Sequence, residues 1–285
     1  MSATSPPPAS KAGRNLPVAI GVGLGLGALV LVPLYTYRPV FGGVVAVAIA
    51  YACFELTTVL RDAAGRHVPL VPIVAGVVAT YYAAYNRGSR ALAVGILLSA
   101  LAVLAWRVVT AAADHEPSSM RLARDLAASV WVLAYVVLLG GFAQLMTAPP
   151  DGASRVTTFV ATVVCADVGG YAAGVLAGKH PLAPRISPKK SWEGLGGSTV
   201  ACLVAGGLFF VLLLHSAVWK GLVFGLAMTA TAIVGDLAES LVKRDLGIKD
   251  MGRLLPGHGG IMDRLDSLLI SAPVAYLLLA VFVPG

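Results

Sequence analysis

Between Asp236 and Ser267 the 285-residue chain gathers ionisable side chains that its apolar surroundings lack. The order is Asp236, Glu239, Ser240, Lys243, Arg244 and Asp245, then Lys249 and Asp250, then His258-Gly259-Gly260, and finally Asp263, Arg264, Asp266 and Ser267. Asp236, Glu239, Ser240 and Lys243 are spaced i, i+3, i+4 and i+7, which puts them on one face of a helix. Asp263, Asp266 and Ser267 repeat the first part of that spacing. Backbone N–H groups in the glycine turn between them can form an anion-binding concavity, and a helix N-terminus just beyond adds positive dipole. Carboxylates on two helix ends, with cations and a glycine turn between, are the parts of a metal–polyphosphate site. Mg²⁺ suits it, because this ion takes one or two carboxylates together with phosphate oxygens. Helix capping would account for Asp263 or Ser267 singly. It does not account for Asp236, which sits among Ile233, Val234 and Leu237.

A second cluster lies upstream. Ser187-Pro188-Lys189-Lys190-Ser191-Trp192-Glu193-Gly194 follows an apolar run that contains Asp167, Gly169, Gly170, Tyr171 and Gly174. The lysines could simply mark membrane topology. Their packing with serines, a tryptophan, a glutamate and glycines fits a pocket for a triphosphate or a lipid phosphate better.

The elements that carry these clusters are membrane helices. The composition is 58% apolar and 12% charged, against about 25% charge in soluble domains. Nine apolar runs approach the roughly 18–20 residues that cross a bilayer: near 16–35, 40–60, 68–85, 91–111, 126–148, 156–177, 196–215, 217–236 and 265–283. The fold class expected is all-α, a polytopic transmembrane bundle with its site at the cytoplasmic ends of the C-terminal helices. Residues 1–15 read as a disordered tail, 16–148 as an N-terminal membrane region and 149–285 as the catalytic membrane region. With the N-terminus inside, only Arg38, Arg87, Arg90, Arg155 and Lys220 among the 21 Lys and Arg fall outside, as the positive-inside rule requires.

The net charge of +7 therefore points to anionic lipid head groups, not to nucleic acid. Cys53, Cys165 and Cys202 lack metal-ligand spacing and read as buried thiols. Gly21-x-x-x-Gly25 suggests close helix packing. The stretch 114–125 reads as a solvated loop. Glu55 stands alone in an apolar span, where a carboxyl is a functional candidate or a hydrogen-bonded structural group.

Ser240 through Asp266 resembles the signature of the phosphatidate cytidylyltransferase (CDP-diacylglycerol synthase) family without departure: Ser-x-apolar-Lys-Arg, then Lys-Asp-x-small, then Pro-x-His-Gly-Gly-apolar-x-Asp-Arg-apolar-Asp. Ser187–Gly194 resembles a second family motif, with Ser191 where Thr is often found, and Asp167-Val-Gly-Gly-Tyr171 resembles a third. The resemblance implies that CTP and phosphatidic acid give CDP-diacylglycerol and pyrophosphate, with Mg²⁺ and, in some members, an accompanying K⁺. It implies Asp236 and Asp263 as metal ligands with Asp167 as a third, and Asp236, Asp263, Lys243, Arg264 and Asp266 as the catalytic set. Ser187, Lys189, Lys190, Ser240, Arg244, Lys249, Asp250, His258, Gly259 and Gly260 would contact substrate. A general-base role for His258 is disfavoured, because phosphatidate is already ionised. The implied setting is a bacterial inner membrane, and a homodimer is compatible with it. A CTP-dependent kinase of a lipid alcohol would transfer the γ-phosphoryl group instead. A transporter would place charge at the bilayer midplane in two related halves, whereas here it crowds at one end of one half.

Overall fold

A computed structural model of the chain describes residues 16–113, 118–252, 254 and 259–284. The expected tail 1–15 and His258 lie outside them. The described residues form nine helices: α1 (Leu16–Thr36), α2 (Arg38–Ala64), α3 (Leu70–Arg87), α4 (Ser89–Ala112), α5 (Ser119–Thr147), α6 (Gly152–Ala177), α7 (Trp192–Leu212), α8 (Val218–Asp245) and α9 (Met262–Phe282). Each matches one of the apolar runs. Seven of them, α2 and α4 to α9, are long and apolar enough to cross a membrane, so the protein is an all-α polytopic membrane protein. The last turns of α3, Tyr85-Asn86-Arg87, are polar, which dilutes its 18 residues. A π-helical segment, Leu133–Leu138, interrupts α5.

Local chemistry sets the helix ends. Gly65 closes α2 in the left-handed region (φ 61°) and donates to the Arg61 carbonyl. Gly247 (φ 69°) closes α8 in a paired cap, with Gly247 N–H bonded to Arg244 O and Ile248 N–H to Lys243 O. Only glycine adopts that conformation without strain. The polar residues after Asp236 continue the helix to Asp245, as their spacing implies.

Three expectations need correction. The stretch 114–125 is not wholly a loop: Ser118 caps α5, its Oγ accepting from Arg121 N–H. Asp125 is fully buried and pairs with Arg107, while His67 N–H donates to it at 3.0 Å. An acid with both a cation and a backbone donor can enter the interior. Gly21 and Gly25 face open space and pack against none of the described residues. Finally, a two-stranded antiparallel hairpin, β1 (Pro181–Ala183) and β2 (Ser187–Ser191), stands where a plain loop was expected.

One apolar core joins α6 to α9 with the ends of α1, α2 and α5 through Phe159, Phe210, Phe224 and Met228. A second joins α2, α3 and α5 to the start of α9 through Leu56, Tyr81, Val136 and Met262. Cys53 and Cys202 are buried free thiols within these cores. The helices α6, α7 and α8 meet backbone to backbone. A Cβ at Gly169 would lie 2.7 Å from Gly197 O, and one at Gly225 would strike Cys202 O.

At the end of the bundle where α6 begins and α9 finishes, basic side chains close the chain ends. Arg38 donates to Pro149 O and Pro150 O, Arg155 to Val283 O, and Lys220 to Phe282 O. All three belong to the few cations assigned to that side from sequence.

Candidate active site

The other end holds the chemistry. The last turns of α8 and the first turn of α9 are drawn together at Gly235, where an added Cβ would lie 2.6 Å from Asp266 O and 3.0 Å from Ser267 Cα. Ser267 Oγ donates to Ala232 O at 3.2 Å across the same contact. Asp236 and Asp266 are thereby brought to one level of the bundle. Ser240 Oγ donates to Asp236 Oδ1 at 3.3 Å. Lys243 Nζ lies between two carboxylates, 2.8 Å from Glu239 Oε2 and 2.9 Å from Asp263 Oδ1.

Asp263 is the hub of the connection between α8 and α9. It accepts from Met251 N–H at 3.0 Å and from Gly260 N–H at 2.8 Å in addition to Lys243. Gly259 (φ 79°) turns the chain into this arrangement, and a Cβ there would lie 2.8 Å from Asp263 Oδ2. The glycines after His258 thus serve both the turn and the close approach.

The hairpin covers a flank of the site. Ser191 ends β2 and caps α7, its Oγ accepting from Gly194 N–H at 3.1 Å. Glu193 ties the base of the hairpin by accepting from Lys179 N–H, His180 N–H and His180 Nδ1. Lys190 on β2 reaches across to pair with Asp236. Arg244 Nε donates to Ile186 O at 3.3 Å, joining α8 to the hairpin turn.

These elements enclose a cavity of about 450 Å³, within the range of small-ligand sites. Asp167, Lys189, Lys190, Asp236, Lys243, Asp250, Asp263, Arg264 and Asp266 all line it. Residues from three separate sequence clusters therefore meet in one place, with acids and cations interleaved. Ser187, Ser240, Arg244, Lys249, Gly259 and Gly260 do not line it. Ser240 and Gly260 instead bond the carboxylates that do, and Arg244 holds the hairpin.

A model of the cytidylyltransferase family matches residues 17–282. The chain belongs to this family. It is 42% identical over 278 residues to the phosphatidate cytidylyltransferase of Mycobacterium leprae, covering 94% of this chain and 89% of that one. It is 40% identical over 277 residues to that of Mycobacterium tuberculosis H37Rv, covering 95% and 84%. A Brucella suis protein of the same name is 41% identical over 133 residues, 47% of this chain and 49% of that one.

In this cytidylyltransferase the cavity also uses residues to which sequence reasoning gave no site role. Tyr171, Ser191, Ser198 and Thr229 line it, and Glu239 is fully buried beneath Lys243. Spacing had already placed Glu239 on the helical face of Asp236 and Lys243, without giving it a role. Ser191 stands just before the glycine-rich start of α7, a recognisable capping position. Ser198 Oγ donates to Ala166 O and Thr229 Oγ1 to Gly225 O; no local pattern signals either.

The donor chemistry suits a divalent cation. Among the described residues no three His, Cys, Asp or Glu side chains stand close enough to hold a metal alone, Asp167, Asp236 and Asp263 included. Lysine ammonium groups already stand against Asp236 and against Asp263. The two carboxylates are thus built to hold positive charge.

Proposed function

We propose that the protein is a CTP:phosphatidate cytidylyltransferase. The observation that carries this reading is the meeting of Lys189 and Lys190 from the hairpin with Asp236, Asp263 and Asp266 from α8 and α9 around one cavity. An oxygen of the phosphatidate phosphate attacks the α-phosphorus of CTP, forming a new P–O bond. The bond from that phosphorus to the bridging oxygen of the β-phosphate breaks, and pyrophosphate leaves with the electron pair. Two anionic reactants must be brought together, so neutralisation and in-line positioning are the main tasks. Asp236 and Asp263 would hold Mg²⁺ with substrate phosphate oxygens completing its shell, while Asp167 lines the same cavity as a further acid; the ion would supply charge stabilisation for the transfer, and a K⁺ alongside it is compatible with the acidic lining. Lys189, Lys190, Lys243 and Arg264 grip phosphate oxygens. Lys190 and Lys243 exchange carboxylate partners for phosphate when substrate binds. Asp266 adds acidic charge to the cavity lining beside these cations, and Ser240 orients Asp236. Phosphatidate needs no general base, so none is assigned.

The cavity lies at the end of the bundle richest in Lys and Arg, which by the positive-inside rule supports a cytoplasmic setting, where CTP is available; a bacterial cell membrane is the setting proposed. Purified protein given CTP, phosphatidate and Mg²⁺ should release pyrophosphate and CDP-diacylglycerol in equal amounts. Release of CDP with a phosphorylated lipid alcohol, or no turnover of phosphatidate, would refute the reading.

A further inference from the structure

Glu55 lies outside the cavity, on α2, yet it is bound to the loop that builds the site. Only 4% of its surface is exposed. Its Oε2 accepts from Met262 N–H at 2.9 Å across 207 residues of sequence, and its Oε1 has no hydrogen-bond partner among the described residues. Gly252 and Gly260 press against the same carboxylate, and a Cβ at either would run into it. Met262 is the first residue of α9, whose own N-cap, Ile261, offers no side-chain cap. Helix starts leave N–H groups free, and a carboxylate there is favoured by the helix dipole. Glu55 therefore caps α9 from another helix.

The neighbours of this contact are the partners of Asp263. Gly260 N–H and Met251 N–H both donate to Asp263, which in turn holds Lys243. Glu55 and Asp263 thus grip the same two short segments, 251–252 and 260–262. A carboxyl at this depth in an apolar span is expensive, and leucine would fill the volume without that penalty.

We propose that Glu55 is a positioning residue for nucleotidyl transfer: it locks the backbone at 251–252 and 260–262 so that Asp263, and through it Lys243, stands correctly at the cavity. The inference rests on the proposed function, and its test separates the two. Glu55→Ala, Glu55→Gln and Gly252→Ala are purified and kinetics are measured on protein that remains folded, with hydrogen exchange followed in the peptide covering 251–262. Glu55→Ala should lower kcat about 10–100-fold, the usual effect of losing a group that orients a ligand. It should raise the Mg²⁺ concentration needed for half-maximal rate and speed exchange in 251–262.

Glu55→Gln keeps an oxygen for Met262 N–H and should recover most of the rate. Gly252→Ala leaves Glu55 present but displaces its carboxylate, so it should reproduce the kinetic change even if Glu55→Ala fails to fold. A purely architectural role would reduce the yield of folded enzyme while leaving kcat and Mg²⁺ dependence per folded molecule unchanged; that result overturns the proposal, as does a glutamine variant no better than alanine. If wild type makes no CDP-diacylglycerol, the functional reading falls, and unchanged exchange in 251–262 would still overturn the inference independently.

Discussion

The same substitution, Asp→Asn, should leave stability unchanged at Asp236 and lower it at Asp263. Asp263 accepts from one ammonium and two backbone N–H groups, and 9% of its surface is exposed. Both of its oxygens face donors, so either orientation of an asparagine amide turns an N–H toward another donor. Losing a charge-assisted bond removes about 1.5–3 kcal/mol, and leaving a buried donor unpaired costs about 1–3 kcal/mol more. The sum, roughly 2.5–6 kcal/mol, is a large part of the roughly 5–15 kcal/mol that holds a domain folded. The side chain of Asp236 is 32% exposed and its partner Lys190 24%, so their pair contributes only about 0–1 kcal/mol. Asp236→Asn should therefore unfold at the wild-type temperature in detergent, and Asp263→Asn on the order of 10 °C lower. Turnover with CTP and phosphatidate should fall at least about 100-fold in both, since each carboxylate is assigned to the metal. Wild-type thermal stability in Asp263→Asn, or destabilisation of Asp236→Asn to the same degree, would refute the reasoning.

Lys189→Ala, which removes a cation with no carboxylate partner among the described residues, should raise the apparent KM for CTP or phosphatidate about tenfold with little change in kcat, the signature of lost ground-state binding; steady-state kinetics on correctly inserted protein checks this. In a background without Cys53, Cys165 and Cys202, a cysteine at Ser187 should resist an impermeant thiol reagent in intact cells, and one at Ala217 should react. Gly235→Ala pushes α8 from α9 beside the carboxylates and should destabilise by about 1–3 kcal/mol, with loss of turnover. Gly43→Ala, which meets open space, should leave melting temperature and activity unaltered.

The helical face of α8 was legible because side-chain spacing alone determines which residues share a face, and Asp236, Glu239, Ser240 and Lys243 do so without any tertiary information. The meeting of that face with Lys189 and Lys190 was legible only through family resemblance, since 46 residues separate Lys190 from Asp236. The double role of Asp263 was hidden, because its partners are backbone N–H groups that no side-chain pattern announces. The hairpin was hidden for a related reason: Pro181, Pro184 and Pro188 read as loop, and its ladder is too short to show alternation. Asp125 misled because an acid near Arg121 and Arg124 looks solvated, whereas its partners, Arg107 and His67 N–H, come from other segments. Gly21 and Gly25 had the spacing of a packing motif, but spacing does not supply a partner.

The backbone contacts among α6, α7 and α8 govern how a two-tailed lipid can arrive. With Gly169 against Gly197 and Ala201, Gly206 against Gly221 and Gly225 against Cys202 O, only small groups lie at these crossings to be compressed or swung aside. The three helices behave as one stiff plate, and the membrane-facing valines and leucines on its outer surface, such as Val200, Val204 and Leu208, can change without altering its thickness. Acyl chains cannot part such a plate. They must pass its margin, and the lateral doorway to the cavity has to be framed by whichever neighbouring elements are held by side chains alone.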